Sequence, residues 1–347
     1  METKFKNLFL VITFLSIVPL YAQENCALRL KEAQKLYDAG NIDAIHEMLQ
    51  PCIEKGFNRS QKIEAYRLRI EAYLFDDNLE KANELMLILL KLDPEHKVDY
   101  KLDPQEFINL FETYRTEPIV GIGLTLNFNN SFLSTQQFYG THNTSAKDEI
   151  ANSGTNINFN IGLKSIYYLA KKIELGVDVL YANRVINYTT VSNDFGNLLI
   201  DEQQSWLEIP VYGIYNYKFN KWLLYSKAGI NTGFLIKDEL ELIRQNKEEI
   251  DIAKNRFDLL STETDRRTKI NFWLNVGTGI KFKIPRGTIY TEIAYQHNLF
   301  NQVNTENRYN NLNEIYEFHY VDNDFKINNL VLSFGYTYSI YKPEKLK

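Results

Sequence analysis

The stretch INNLVLSFGYTYSIY, residues 327–341, decides how the larger part of this chain is read. Leu330, Leu332, Phe334, Tyr336, Tyr338 and Ile340 share one parity, and Val331, Ser333, Gly335, Thr337 and Ser339 share the other. Successive side chains of a β-strand point to opposite faces, so a period of two describes a ribbon with one greasy and one mixed face. Residues 270–284 repeat the pattern, with Ile270, Phe272, Leu274, Val276, Ile280, Phe282 and Ile284 set against Asn271, Trp273, Asn275, Gly277, Gly279, Lys281 and Lys283. Eight such segments are found: 118–130, 155–168, 173–189, 204–218, 222–236, 269–284, 288–303 and 326–341.

A soluble sandwich alternates too. Three features favour a transmembrane barrel. The segments run 13 to 17 residues, whereas soluble strands average about 5 to 6 and a tilted spanning strand needs about 9 to 11. The links alternate in length: tight near Ala170-Lys171-Lys172, Asn220-Lys221 and Pro285-Arg286-Gly287, long and polar at 131–154, 190–203, 237–268 and 304–325. Short turns at one end and long loops at the other are the outer-membrane pattern. The even strand count puts both barrel ends on the short-turn side, so that whatever precedes the barrel is expected in the periplasm. Of the long links, 237–268 is expected to be solvated with a short helix, and the Asn-rich 304–313 to be a solvated loop.

The inward polar faces are assigned Lys164, Glu174, Asp178, Arg184, Glu208, Lys227, Lys281, Lys283 and Glu292, with Asn158, Asn160, Asn275 and Gln296. Five cationic and four anionic groups nearly balance. An eight-stranded barrel is just wide enough for side chains to fill, and an unpaired buried charge is costly. The expectation is a plugged, ion-paired lumen rather than a general pore. Pro210 is expected to kink its strand and seat Glu208 against a lumen lysine such as Lys227.

The segment Trp206-Leu207-Glu208-Ile209-Pro210-Val211-Tyr212 resembles the "LEIP" signature of PorT-like outer-membrane barrels. Residues 222–235, with Tyr225, Ala228, Gly229 and Gly233, are similar to the strand that follows it in that family. The resemblance, over roughly 118–341, implies an eight-stranded barrel in the outer membrane; some such relatives are accessory parts of type IX secretion and gliding machinery. A helical domain ahead of the barrel departs from the simplest members.

That domain is read over 23–117, where the period changes to helical. Leu30, Ala33, Leu36 and Tyr37 share a face, as do Ile42, Ile45, Leu49 and Ile53; Asp38-Ala39-Gly40-Asn41 and Gly56 break the runs. A second pair follows at Ile63–Phe75 and Leu79–Leu92, stopped by Asp93-Pro94. Tyr37, Gly40, Asn41 and Ala44 echo Phe75, Asn78 and Ala82, and this resembles a tetratricopeptide array. A last helix, Pro104–Tyr114, is expected to take Asp103 as its cap. In an antiparallel hairpin of the first two helices Cys26 and Cys52 become neighbours, so a disulfide closing a 27-residue loop is expected.

Residues 1–22 read as an export signal, with Lys4 and Lys6 ahead of a 13-residue apolar stretch, Leu8 to Leu20, and Ala22 as the small residue. The net charge is −5 and there is no Lys/Arg tract, which gives nucleic acid no footprint. The 23 Tyr and 21 Phe suit strands and membrane interfaces. His46, His96, His142, His297 and His319 lack metal-ligand spacing, and no nucleophile elbow, phosphate loop or zinc-protease motif occurs. The expectation is therefore an α+β, two-domain, non-enzymatic outer-membrane scaffold: no catalytic residue, cofactor or metal, lipid around the barrel, and a protein partner for the helical domain. A narrow transporter or ligand-binding barrel, and a rim enzyme acting on lipid or peptide, are the alternatives.

Overall fold

The computed structural model describes residues 19–140, 150–153, 156–192, 196–219, 222–246, 256–261 and 264–346. Most of the leader expected at 1–22 lies outside them. The chain divides into two compact units, Met1–Glu117 with Tyr341–Lys347, and Pro118–Ile340.

The first unit is helical: α1 (Pro19–Asp38), α2 (Ile45–Glu54), α3 (Arg59–Phe75), α4 (Leu79–Leu92) and α5 (Gln105–Glu112). Two apolar clusters hold it. Leu30, Ala33, Ile45, Leu49, Ala65 and Leu68 join α1, α2 and α3. Ile70, Met86, Leu89, Phe107 and Phe111 join α3, α4 and α5. Because α3 serves both clusters, its apolar residues surround it instead of forming one stripe, which is what a helix in the middle of a stack requires. Asn58 opens α3 with a reciprocal capping box to Gln61, and Asn78 caps α4 through the Lys81 amide. Asp103 does not cap α5. Its carboxylate accepts the Asp99 amide and pairs with Arg67 at 2.6 Å, and α5 starts from Pro104 without a side-chain cap. The echoed alanines are not equivalent: Ala44 is exposed at the start of α2, whereas Ala82 is wholly buried.

The second unit is a closed ring of antiparallel strands. Its members are β1 (Val120–Gln137), β3 (Ile157–Ala170), β4 (Ile173–Ser192), β5 (Gly196–Phe219), β6 (Trp222–Asn246), β8 (Ile270–Ile284), β9 (Gly287–Asn298) and β10 (Asp324–Ile340). Each pairs with the next, and β1 pairs with β10 from Val120↔Ile340 upward, so eight strands close without an edge. Two short strands, β2 (Ile150–Ser153) on β4 and β7 (Arg256–Ser261) on β6, lie above the ends of β3 and β8.

Several strands outrun their sequence limits at the long-loop end. The segments expected as loops at 131–154, 190–203 and 237–268 supply the tops of β1, β4, β5 and β6 and both short strands; among the described residues of 237–268 the helical element is the single turn Thr264–Arg266. The seventh strand stops at Asn298, not 303, and 304–325 contains α6 (Leu312–Glu317).

One bulge re-phases a wall. Ser205 pairs with Lys237 and Trp206 with Leu235, which leaves Ile236 unpaired. Below it the odd residues Tyr225, Lys227 and Asn231 point inward; above it the even residues Asp238, Leu240 and Leu242 do. At Pro210 the β4–β5 ladder skips two pairs, between Val177↔Val211 and Leu180↔Glu208, as its missing N–H requires, and the register is the same on both sides. Inside, tyrosine rings lie over cross-strand glycines: a Cβ on Gly176 would meet the Tyr212 ring at 2.2 Å, and one on Gly279 the Tyr225 ring at 2.5 Å. Outside, Leu124, Leu163, Val177, Val211, Leu274, Ile293 and Phe334 form an apolar band, with Trp222, Phe282, Tyr215 and Tyr217 toward the short-turn end. No described helix is long and apolar enough to cross a membrane; the strands carry that role.

Candidate functional site

The lumen is built in layers along β4, whose inward residues Glu174, Asp178 and Arg184 each meet a cation or an anion from other strands. Nearest the short turns, Lys281 Nζ lies 2.5 Å from Glu174 Oε2. Asn216 joins both, donating to Glu174 Oε1 at 2.7 Å and accepting from Lys281 at 3.0 Å. In the next layer Lys164 faces its cross-strand partner Asp178 at 3.4 Å and donates to the Tyr212 hydroxyl at 2.5 Å. Tyr212 passes the chain on by donating to Asp178 Oδ1 at 2.7 Å. Beside it Lys227 pairs with Glu292, which also accepts from the Tyr225 hydroxyl at 2.8 Å. Above these Arg184 pairs with Glu208, and Asn231 donates to the second Glu208 oxygen at 2.6 Å. Pairing each buried charge with an opposite one is what makes burial of charge tolerable.

Eight of the nine sequence-assigned charges are therefore brought together inside, four cations against four anions. Lys283 is not among them. It has the parity of Lys281, but it is the last residue but one of β8, at the short-turn rim, and the side chain is exposed. Glu208 does not meet Lys227, because Lys227 lies lower, opposite Gly277 and beside Glu292, while Arg184 reaches Glu208 from β4. Asn158, Asn160, Asn275 and Gln296 are all buried. What space is left is a cavity of about 20 Å³ lined by residues such as Lys164, Asp178, Lys227, Asn275 and Glu292, room for about one water molecule.

A second cluster at the long-loop end escaped the sequence reading. Arg267 is fully buried and donates twice to Glu202, at 2.6 and 2.7 Å, and twice to Asp322, at 2.7 and 2.9 Å. Arg266 reaches Asp238 at 2.9 Å and Glu314 of α6 at 3.0 Å. Arg308 pairs with Asp324 and donates to the Asp322 carbonyl at 2.7 Å. Tyr320 donates to Asp322 and contacts the Tyr188 hydroxyl at 2.8 Å. Ile186, Leu198, Ile200, Leu240, Leu242, Val303, Phe318, Phe325 and Ile327 pack around this cluster as a separate apolar core. The mouth is thus filled by the segment after β9, including the 304–325 stretch expected as a long polar link. A signal existed: the inward parity of β5 runs on through Leu198, Ile200, Glu202 and Gln204.

Cys26 and Cys52 are joined, Cα to Cα 5.6 Å, where α1 and α2 meet. Among the described residues no group of His, Cys, Asp and Glu could hold a metal ion. His297 points outward beside Tyr295 and His319 is exposed; His142 lies outside the described residues.

A closed ring with an apolar outer belt and a lumen of paired charges defines a membrane-spanning β-barrel. Residues 119–304 match the family described as outer membrane protein beta-barrel domain, and the chain belongs to that family. No curated protein matches it. Solved structures similar to it include OprG of Pseudomonas aeruginosa (11% identity, 65% of this chain and 97% of that one, TM-score 0.40). Others are the neisserial surface protein NspA (13%, 63% and 97%, TM-score 0.30) and the outer membrane protease OmpT of Escherichia coli (10%, 64% and 96%, TM-score 0.32). Likeness at this level carries no role across to this chain.

Proposed function

We propose that the chain is a non-enzymatic outer-membrane anchor whose helical unit lies in the periplasm and binds a protein partner. The observation that carries the anchor reading is the filled lumen. Four buried cations meet four buried anions, and the mouth holds a second core, so among the described residues side chains occupy the space a wide pore would need. The periplasmic placement is supported by the ends of β1 and β10, which leave the barrel at the short-turn side. The likeness of residues 206–212 to PorT-like barrels makes a secretion or gliding apparatus the class of machinery to test first.

Two measurements test this reading. Reconstituted protein should show no conductance steps in a planar bilayer; discrete steps would favour a narrow transporter. Deleting 24–117 should leave insertion intact and abolish co-purification of proteins retained by the full chain. Partners that survive the deletion would overturn the binding role.

A further inference from the structure

The segment that follows β10 is structurally part of the helical unit. The Leu346 amide donates to the Thr113 carbonyl at 2.7 Å, and the Arg115 amide to the Glu344 carbonyl at 2.9 Å. Arg115 and Glu344 also pair through their side chains at 3.2 Å. Lys345 donates to Asn83 Oδ1 at 2.8 Å, the same atom that accepts the Tyr114 hydroxyl at 2.9 Å. Tyr341 donates to Glu95 at 3.0 Å. The helical unit is thus assembled from both sides of the barrel in sequence, and Arg115 and Glu344 are 229 residues apart.

Those contacts have an entropic precondition. In an open chain their formation closes a loop of 229 residues. Once β1 has paired with β10, Val120 and Ile340 are already opposite each other, and only the few residues on either side remain to be ordered. The closure penalty grows as (3/2)RT ln n, so the probability of closure falls as the three-halves power of loop length, and shortening the loop to about ten residues favours the contact about a hundredfold. We propose that residues 341–346 dock on the helical unit only after the barrel ring has closed, so that completion of this unit reports a finished barrel. This stands whatever the helical unit binds.

The test is refolding of the full chain from urea into detergent micelles. Barrel closure is followed by the heat-modifiable gel shift, and pulsed hydrogen exchange reads the amides of Arg115 and Leu346. Protection of both is expected to appear with the shifted band or after it; protection that precedes the band overturns the proposal. Truncation after Ile340 should leave the gel shift intact and speed exchange at Arg115 about tenfold or more. Leu346→Pro, which removes one donor at full length, carries the same test if the truncated chain fails to form a barrel. An unchanged Arg115 exchange rate in the variant that folds would also overturn it.

Discussion

The guanidinium of Arg184 lies 4.0 Å from the ring centroid of Trp273, while its Nη2 is bound to Glu208. Trp206 covers it at 5.4 Å, edge-on to Trp273. Nε and Nη1 of this fully buried arginine have no hydrogen-bond partner in the structure, so two indole π-systems stand where acceptors would otherwise be needed. Charge, aromatic packing and strand register are locked together at this point of the wall.

Glu208→Gln removes the anion and leaves Arg184 charged in a closed lumen. Breaking a buried pair from one side costs about 3–5 kcal/mol, so the temperature of the folded-to-unfolded gel shift should fall by about 10 °C. The double variant Arg184→Met/Glu208→Met should recover much of the loss. If the single variant melts like the parent, the pair is not holding the barrel.

Lys281 and Lys283 share a parity but not an environment. Lys281→Gln strands Glu174 and should destabilise the barrel clearly, whereas Lys283→Gln, exposed, should stay within about 0.5 kcal/mol of the parent. Equal effects in a denaturant titration would contradict the assigned lumen boundary.

Arg267→Met leaves Glu202 and Asp322 without their shared cation. The expected result is selective loosening of the mouth. Residues 299–323 should become protease-sensitive in proteoliposomes with the membrane band intact. Resistance equal to the parent would show that the apolar core alone holds this segment.

The Cys26–Cys52 link is checked by non-reducing peptide mapping of the purified protein, where two free thiols would contradict it. Cys52→Ser should lower the stability of the helical unit by about 3 kcal/mol on the chain-entropy account.

His46 stacks on Tyr73 at 3.6 Å, and neither ring nitrogen has a hydrogen-bond partner. Burial, reinforced by Arg69, pushes its pKa down from 6.5 to about 4. A histidine held low when folded takes up its proton more readily when unfolded, so acid favours unfolding. Helical stability should be full above about pH 6.5 and decline toward pH 4, followed by ellipticity at 222 nm. His46→Phe, which keeps the stack, should flatten that decline.

Much of the barrel was legible because membrane burial imposes a strict period of two on each strand, as residues 327–341 display. Inward parity alone named Lys164, Asp178, Arg184 and Glu292. It could not name partners: whether Glu208 meets Lys227 or Arg184 depends on the stagger between β4, β5 and β6, and register is a property of pairs of strands. The single-residue bulge at Ile236 was invisible for the same reason, yet it decides that Asp238 faces inward. Nor could polarity separate a solvated loop from one folded into the mouth, since Arg266, Arg267 and Asp322 are as hydrophilic in sequence as any exposed residue.

The sequence by itself therefore determined the eight strands of the ring, their lipid-facing sides and the helical character of residues 24–117, because these follow from local periodicity. Only the tertiary structure decided which charges neutralise each other, that the mouth is filled, and that residues 341–346 return to the helices. Those outcomes depend on distances between residues far apart in the chain, which closure of the ring sets and no local pattern encodes.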